Sequence, residues 1–396
     1  MKVTHIVESK IEYDLSKWPK YESKLKPLLP TKTRERMSFA IRNTDTATVN
    51  GLRRTLIEEL PVKILHAEVS DIDTNEEFLI RDELLGRIRL IPIDQSVKPD
   101  STFTINVVNT DKTKRISYVH SSQISENENG NLADKMYRIA ELHVGRYLKV
   151  DNIRIIEGYG YMHANFRLTC GVEYRPLDYI DVYRVNERGY IERGMAEMDL
   201  VLTEAKKKKS GLTEFTIKDE KILFIPNATN KELMSAANKN KLSSHLVIEK
   251  NVKFHSSSLT HPTTYAIGFE TLGTMPTREI AKMACRSLAA RFQKIYDGVE
   301  HYLKDPAAEP VDVNVVATIT QSLTQVKIVG ESHTVAEVII NNIQKLDPAV
   351  ANVKKRMIHP LERSILIEIV HGEPIKILMD ACKMAIKNYE GIGSAF

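Results

Sequence analysis

Four groups of side chains have the types and spacing to do chemistry. Arg53 and Arg54 are adjacent, with Glu58 four residues beyond Arg54, and guanidiniums can grip a carboxylate or phosphate through two parallel bonds. Gly158-Tyr159-Gly160 supplies the first two glycines of a phosphate-cradling G-x-G-x-x-G loop, but His163 replaces the third and strand-like sequence follows. Gly158 and Gly160 are therefore read as a tight turn and His163 as a hydrogen-bonded structural residue. Lys206–Lys209, in AKKKKSG, read as a solvated charge run for which a phosphate contact is the alternative. His255 and His261 lie in a Ser/Thr-rich loop, and Cys170, Cys285 and Cys382 are too widely spaced for a metal-binding pair. No carboxylate cluster suited to two metal ions is present, so no catalytic residue, cofactor or metal is expected.

These residues need elements to position them. From Val49 the apolar residues Val49, Leu52, Leu56 and Leu60 share one face of a 3.6-residue helix, with Asn43 or Asp45 available to cap its start and Pro61 ending it. Arg54 and Glu58 then sit on its polar side. Two neighbouring guanidiniums diverge by about 100° on a helix, so at least one points away from the core when Leu52 is buried. Val62–Ile72 reads as a strand and Phe78–Ile93 as a short helix. The alternating runs FTINVVN and RISYVH flank a polar turn and read as a β-hairpin, and Leu148–Glu157 and Phe166–Tyr174 read as further strands. A long helix opens at Pro276-Thr277, with Ile280, Ala284, Leu288, Phe292, Ile295 and Val299 on its apolar face. Another helix carries Val335, Ile339, Ile343 and Leu346, and Pro374 opens a last one bearing Leu378, Ala381, Cys382, Ala385 and Tyr389.

The bulk numbers agree with a multidomain chain of packed cores. At 396 residues it exceeds one ordinary core, and 42% hydrophobic content supports burial. A formal net charge of +4 falls short of the dense basic face of a primary DNA-binding domain. The low, odd cysteine count, the charged opening stretch and the lack of long apolar runs point to a soluble intracellular protein without a membrane span.

Asn43–Pro61 can be laid on Gly330–Pro348 without a gap, matching Val49 to Ala336, Leu52 to Ile339 and Leu56 to Ile343. Each half proceeds from loop to short helix to proline to strand and finishes on an amphipathic helix. Two related units in one chain suggest an intramolecular pseudo-twofold dimer, its modules tethered through the proline-containing LKDPAAEPV.

The residues also match a family. The first half resembles the larger alpha-like subunit of multisubunit DNA-directed RNA polymerases, through Asn43, Asp45, Asn50-Gly51-Leu52-Arg53-Arg54, Glu59-Leu60-Pro61, Asp82-Glu83, Arg87 to Pro92, Gly158-Tyr159-Gly160 and His163-Ala164. The second half is similar to the smaller alpha-like subunit, through Glu331, His333-Thr334, Asp347-Pro348 and His359-Pro360-Leu361-Glu362. The chain departs from the family pattern at Gly86, Asn165, Ser332, Ala336 and Glu337. A fusion of the two subunits is similar to the form found in large cytoplasmic DNA viruses. The zinc loop or iron–sulfur domain of many larger alpha-like subunits cannot form with Cys170 as the lone middle-region cysteine.

The resemblance implies an α+β fold of two alpha-subunit-like modules forming an intramolecular pseudo-dimer, with a mostly β insert in the first. The expected organisation is a leader at 1–36, a first dimerisation module at 37–93 and 262–303, and the insert at 94–261. A linker at 304–312 and a smaller second module at 313–396 complete it. Val49, Leu52, Leu56, Leu288, Phe292, Ile295, Ile339, Ile343, Leu378 and Cys382 would form the interface. Arg53, Arg54, Asp82, Glu83 and Arg87 would dock the large subunits, with Arg54 the favoured anchor. The implied role is a non-catalytic assembly platform, one copy per complex, bound to the two largest subunits and a small one. Nucleic acid would be met only through the complex, in host cytoplasm and virion if the source is viral and otherwise in nucleus or cytoplasm. The alternative is a free-standing nucleic-acid-binding transcription regulator using Lys206–Lys209.

Overall fold

The computed structural model describes residues 1–11, 15, 19–25, 34–113, 115–127, 137–176, 179–185, 191–197, 213–217, 220–225, 245–248, 263–304, 315–319, 323–350, 352–357, 359 and 363–396. Lys206–Lys209, His255, His261, the linker from residue 305 and Pro360–Glu362 lie outside them. The described elements mix helix and sheet in an α+β arrangement. They group into two compact units, the first comprising Met1–Ala40, Ala47–Tyr174 and Ile267–Phe396, the second Ile41–Thr46 and Arg175–Ala266.

In the first unit, strand β1 (Lys2–Ile11) lies at the edge of a sheet beside β2 (Arg34–Arg42). Helix α1 follows at Thr46–Glu58, with Val49, Leu52 and Leu56 buried as their spacing requires. Pro61 ends the helical pattern and opens β3 (Pro61–His66). The expected strand to Ile72 is broken, because a 3-10 turn at Val69–Asp71, closed by Asp71 accepting from the Glu68 amide at 2.8 Å, intervenes before β4 (Ile72–Thr74). Helix α2 occupies only Arg81–Arg89 of the expected span.

The expected hairpin does not form. Strand β5 (Thr102–Val108) pairs with β7 (Ile124–Asn127) and β9 (Tyr147–Tyr159), whereas β6 (Ile116–His120) pairs with β8 (Arg138–His143). Alternation fixes which face of a strand is buried; it does not name the neighbour. Phe103 and Ile105 are fully buried, in one core with Val119 of β6 and Ile139 and Leu142 of β8. At a bulge, β9 inserts one residue between Val150 and Ile153 relative to Phe103 and Ile105, and Asn152 takes φ 53°. The extra residue puts Leu148 and Val150 on the same buried face as Ile153 and Ile155. Leu84, Leu85 and Ile88 of α2 complete that core.

Strand β10 (Thr169–Pro176) leads to the second unit, where β11 (Tyr179–Val185), β12 (Ile191–Glu197), β13 (Thr213–Ile217), β14 (Glu220–Ile225) and β15 (His245–Ile248) form a sheet in the order β12-β11-β15-β14-β13. Strand β16 (Thr264–Thr271) returns the chain to the first sheet, ordered β1-β2-β16-β10.

The long helix α3 spans Thr277–Lys304. Beyond it β17 (Val315–Ile319), β18 (Thr324–Val329), β19 (Asn352–Met357) and β20 (Ser364–Val370) make a sheet in the order β17-β18-β20-β19. Helix α4 (His333–Leu346) lies between β18 and β19, and α5 (Pro374–Gly393) follows β20. Of the expected α4 stripe, Val335, Ile339 and Ile343 are buried, while Leu346, the last helical residue, is 41% exposed. Helix α5 packs along α3 and against α4.

Under the register that lays Asn43 on Gly330, α1 and α4 begin on equivalent residues, Thr46 and His333. Asn43 and Gly330 themselves both adopt left-handed backbone, at φ 55° and 91°.

Candidate assembly surface

Helix α1 sorts its residues by chemistry. Its apolar face is buried, and its arginines are held by their own helix. Arg53 Nε and Nη2 donate to Asn50 Oδ1 at 3.1 and 3.0 Å, and Arg54 Nε and Nη2 donate to Glu58 Oε1 at 3.1 and 2.8 Å. Arg54 stays 36% exposed, and an i,i+4 pair of this kind contributes only about 0.3–0.5 kcal/mol, so a better carboxylate can displace Glu58. On α2, Asp82 and Glu83 are exposed in the first turn, where negative charge suits the helix dipole. Arg87 donates to Glu83 at 2.5 Å and to the Ile139 carbonyl at 3.2 Å, pinning α2 to β8.

The turn after β9 abuts the end of α1. A Cβ on Gly160 would come within 2.8 Å of Glu58 Cα, and the Tyr161 amide donates to the Glu58 carbonyl at 3.0 Å. Gly158 lies under the Phe166 ring, and His163 Nδ1 accepts from the Asn165 amide at 3.2 Å, opening the 3-10 turn Ala164–Phe166. The expected turn residues and the helix bearing Arg54 thus share one corner of the molecule.

The residues expected at the interface are buried: Leu288, Phe292 and Ile295 on α3, Ile339 and Ile343 on α4, and Leu378 and Cys382 on α5. Phe292 stacks on Tyr389 with ring centres 5.8 Å apart. Tyr389 Oη donates to the Thr48 carbonyl of α1 at 3.0 Å, and Asn342 of α4 donates to the Ala381 carbonyl of α5 at 3.1 Å. Burial raises the thiols of Cys285 and Cys382 to about 12, leaving both unreactive.

Sequence reading missed a second register. Laying Cys285 on Cys382 without a gap brings Ile377, Leu378, Ala381, Ala385, Tyr389 and Ile392 onto Ile280, Ala281, Ala284, Leu288, Phe292 and Ile295, and every one of them is buried. Matched Cys and Ile positions were the available signal.

It also missed a charged cluster. Arg291 of α3 pairs through Nη1 with Glu59 and through Nη2 with Glu331, and its Nε donates to both Glu331 oxygens at 3.0 and 3.1 Å. Arg363 donates to the other Glu59 oxygen at 3.2 Å, and its guanidinium lies 4.3 Å from the Tyr161 ring centre. Glu59 and Glu331 are each only 6% exposed. The signal was an arginine between Leu288 and Phe292 on an otherwise apolar stripe.

Among the described residues no group of three or more His, Cys, Asp or Glu side chains is arranged to hold a metal, and no helix is long and apolar enough to cross a membrane.

No family model matches the chain. It is 23% identical over 271 residues to the DNA-directed RNA polymerase subunit Rpo3 of the archaeon Natronomonas pharaonis, covering 66% of this chain and 92% of that one. It is 21% identical over 369 residues to the DNA-directed RNA polymerase RPB3-11 homolog of African swine fever virus, isolate Pig/Kenya/KEN-50/1950, covering 91% of this chain and 85% of the viral one. The isolate Warthog/Namibia/Wart80/1980 gives 20% over the same length. The resemblance is to fused alpha-like subunits of RNA polymerase. In this alpha-like frame, the match to the archaeal subunit spans two thirds of the chain, and the match to the viral homolog takes in nearly all of it.

Proposed function

We propose that this chain is a non-catalytic assembly platform of a multisubunit DNA-directed RNA polymerase, its two alpha-like modules paired within one polypeptide. The observation that carries the reading is similarity to an RPB3-11 homolog along 91% of the chain. The gap-free registers between α1 and α4 and between α3 and α5 support it from the side of packing. In this reading the modules comprise 37–93 with 262–303 and 313–396, joined by a linker at 304–312. A leader at 1–36 precedes them, and a β-rich insert occupies 94–261. Val49, Leu52, Leu56, Leu288, Phe292, Ile295, Ile339, Ile343, Leu378 and Cys382 line the pseudo-twofold.

The outer face, with Arg53, Arg54, Asp82, Glu83 and Arg87, receives the two large subunits, which perform nucleotidyl transfer. Arg54 is the anchor because its partner Glu58 holds it weakly. One copy of this chain serves each catalytic pair, with a small subunit alongside. The chain works inside the cell and meets nucleic acid only through the complex.

The test is recovery of tagged protein from its native cells and measurement of subunit stoichiometry. Two large subunits per copy are expected, and absence of large subunits overturns the proposal. Arg54→Ala, which leaves the buried face of α1 untouched, is expected to fold and to retain less of a large subunit. Undiminished recovery with this variant removes Arg54 from the docking surface.

A further inference from the structure

The charged cluster is divided between the two halves in an unequal way. Glu59 and Arg291 come from the first module, Glu331 and Arg363 from the second. Arg291 binds both carboxylates, and Glu59 binds both guanidiniums. The first module's acid therefore has a cation of its own. Glu331 does not: among the described residues its cation is Arg291, across the interface, while Arg363 reaches to Glu59 and Tyr161.

The two registers show what the second module offers at the corresponding places. Leu346 stands where the first has Glu59, and Asn388 stands where it has Arg291. A pair built from two copies of the second module would place Glu331 of each copy against Leu346 and Asn388 of the other. The buried carboxylate would then lose Arg291 and face, across the interface, an apolar side chain and a neutral amide. Leaving an ionised group unpaired in a desolvated interface costs far more than a rim charge does.

We infer that Glu331 is a pairing key: it admits the first module, which carries Arg291, and rejects a second copy of its own module. The inference rests on the module pairing proposed above. The tether raises the local concentration of the correct partner. It does nothing to stop α4 and α5 of one chain from meeting α4 and α5 of another while modules are still unpaired during synthesis. Glu331 acts on that alternative, since discrimination between partners is a difference of affinities and is well served by a group that penalises the wrong one.

Sedimentation velocity of the full-length chain, across a wide range of protein concentration, tests the key. Glu331→Gln keeps the shape and removes the charge, and is expected to self-associate about 10–100-fold more tightly than the parent chain. Asn388→Arg leaves the cluster intact and gives the second module its missing cation. It is expected to promote self-association as well, and it carries the test if Glu331→Gln does not fold. Arg363→Gln, which spares the contact between Glu331 and Arg291, is expected to behave like the parent. Parent-like self-association in both Glu331→Gln and Asn388→Arg overturns the inference and leaves the cluster as a stabilising contact only. Failure of the pairing itself has a separate readout, because Cys285 is covered by α5 at Gly393, where an added Cβ would sit 3.1 Å from the Cys285 Cβ. With paired modules Ellman's reagent labels the exposed Cys170 alone in the native parent; rapid labelling of Cys285 overturns pairing and key together.

Discussion

Glu76 illustrates how one side chain joins two segments. It is buried, and it accepts from the His143 amide at 2.8 Å, from His143 Nδ1 at 3.1 Å and from the Phe78 amide at 3.4 Å. Burial alone would push its carboxyl up; the bonds from the His143 amide and ring and from Phe78 outweigh it and hold the group below its ordinary value of 4.5. A depressed folded-state value means stability that is present above the unfolded value and is lost as pH falls through the folded one. Glu76→Gln is therefore expected to cost about 1–3 kcal/mol near neutral pH. Urea denaturation of variant and parent should converge as pH drops below 4.5, whereas a constant gap would show that the charge contributes nothing. Sequence reading gave Glu76 no role. It could not do better, because His143 comes from a strand 67 residues away and composition carries no trace of that meeting.

At the scale of elements, legibility followed the range of the interactions. Helices α1, α3, α4 and α5 were readable because an apolar stripe repeats within the segment that carries it. Strand partners were not, and β5 and β6 went to different sheets. The arginines of the candidate surface were legible as residues, while the weak grip of Glu58 on Arg54 needed geometry. Gly51 shows the same divide: its motif was evident, its reason was not. A Cβ there would lie 2.6 Å from Tyr389 Oη and 3.6 Å from Val338 Cγ2, so α1, α4 and α5 meet on the bare glycine. Gly51→Ala is expected to cost about 1–3 kcal/mol by overpacking. Tyr389→Phe, which loses the bond to the Thr48 carbonyl, should cost about 1 kcal/mol. The double variant should cost less than the two together, since removing the hydroxyl makes the room the methyl needs. Simple additivity in thermal or urea unfolding would show that the methyl is accommodated some other way.

For the whole molecule, the closure of α5 over α1 and α3 bears on how the protein is made. Tyr389 meets Thr48 across 341 residues of sequence, and Phe396 packs edge-on against Phe39 at 4.8 Å. At translation rates of about 5–20 residues per second, α1 waits roughly 20–70 s on the ribosome before its last neighbour exists. Through that interval an apolar face built for burial stands open, which is the condition under which nascent chains aggregate or recruit chaperones. A chain ended after Glu373, lacking α5, should therefore remain chaperone-bound or precipitate and show a Cys285 that reacts freely; a soluble product with that thiol protected would mean the remaining helices close without it. That contact is also a clock: nascent chains not yet extended through Tyr389 differ in exposed apolar surface from those extended past it.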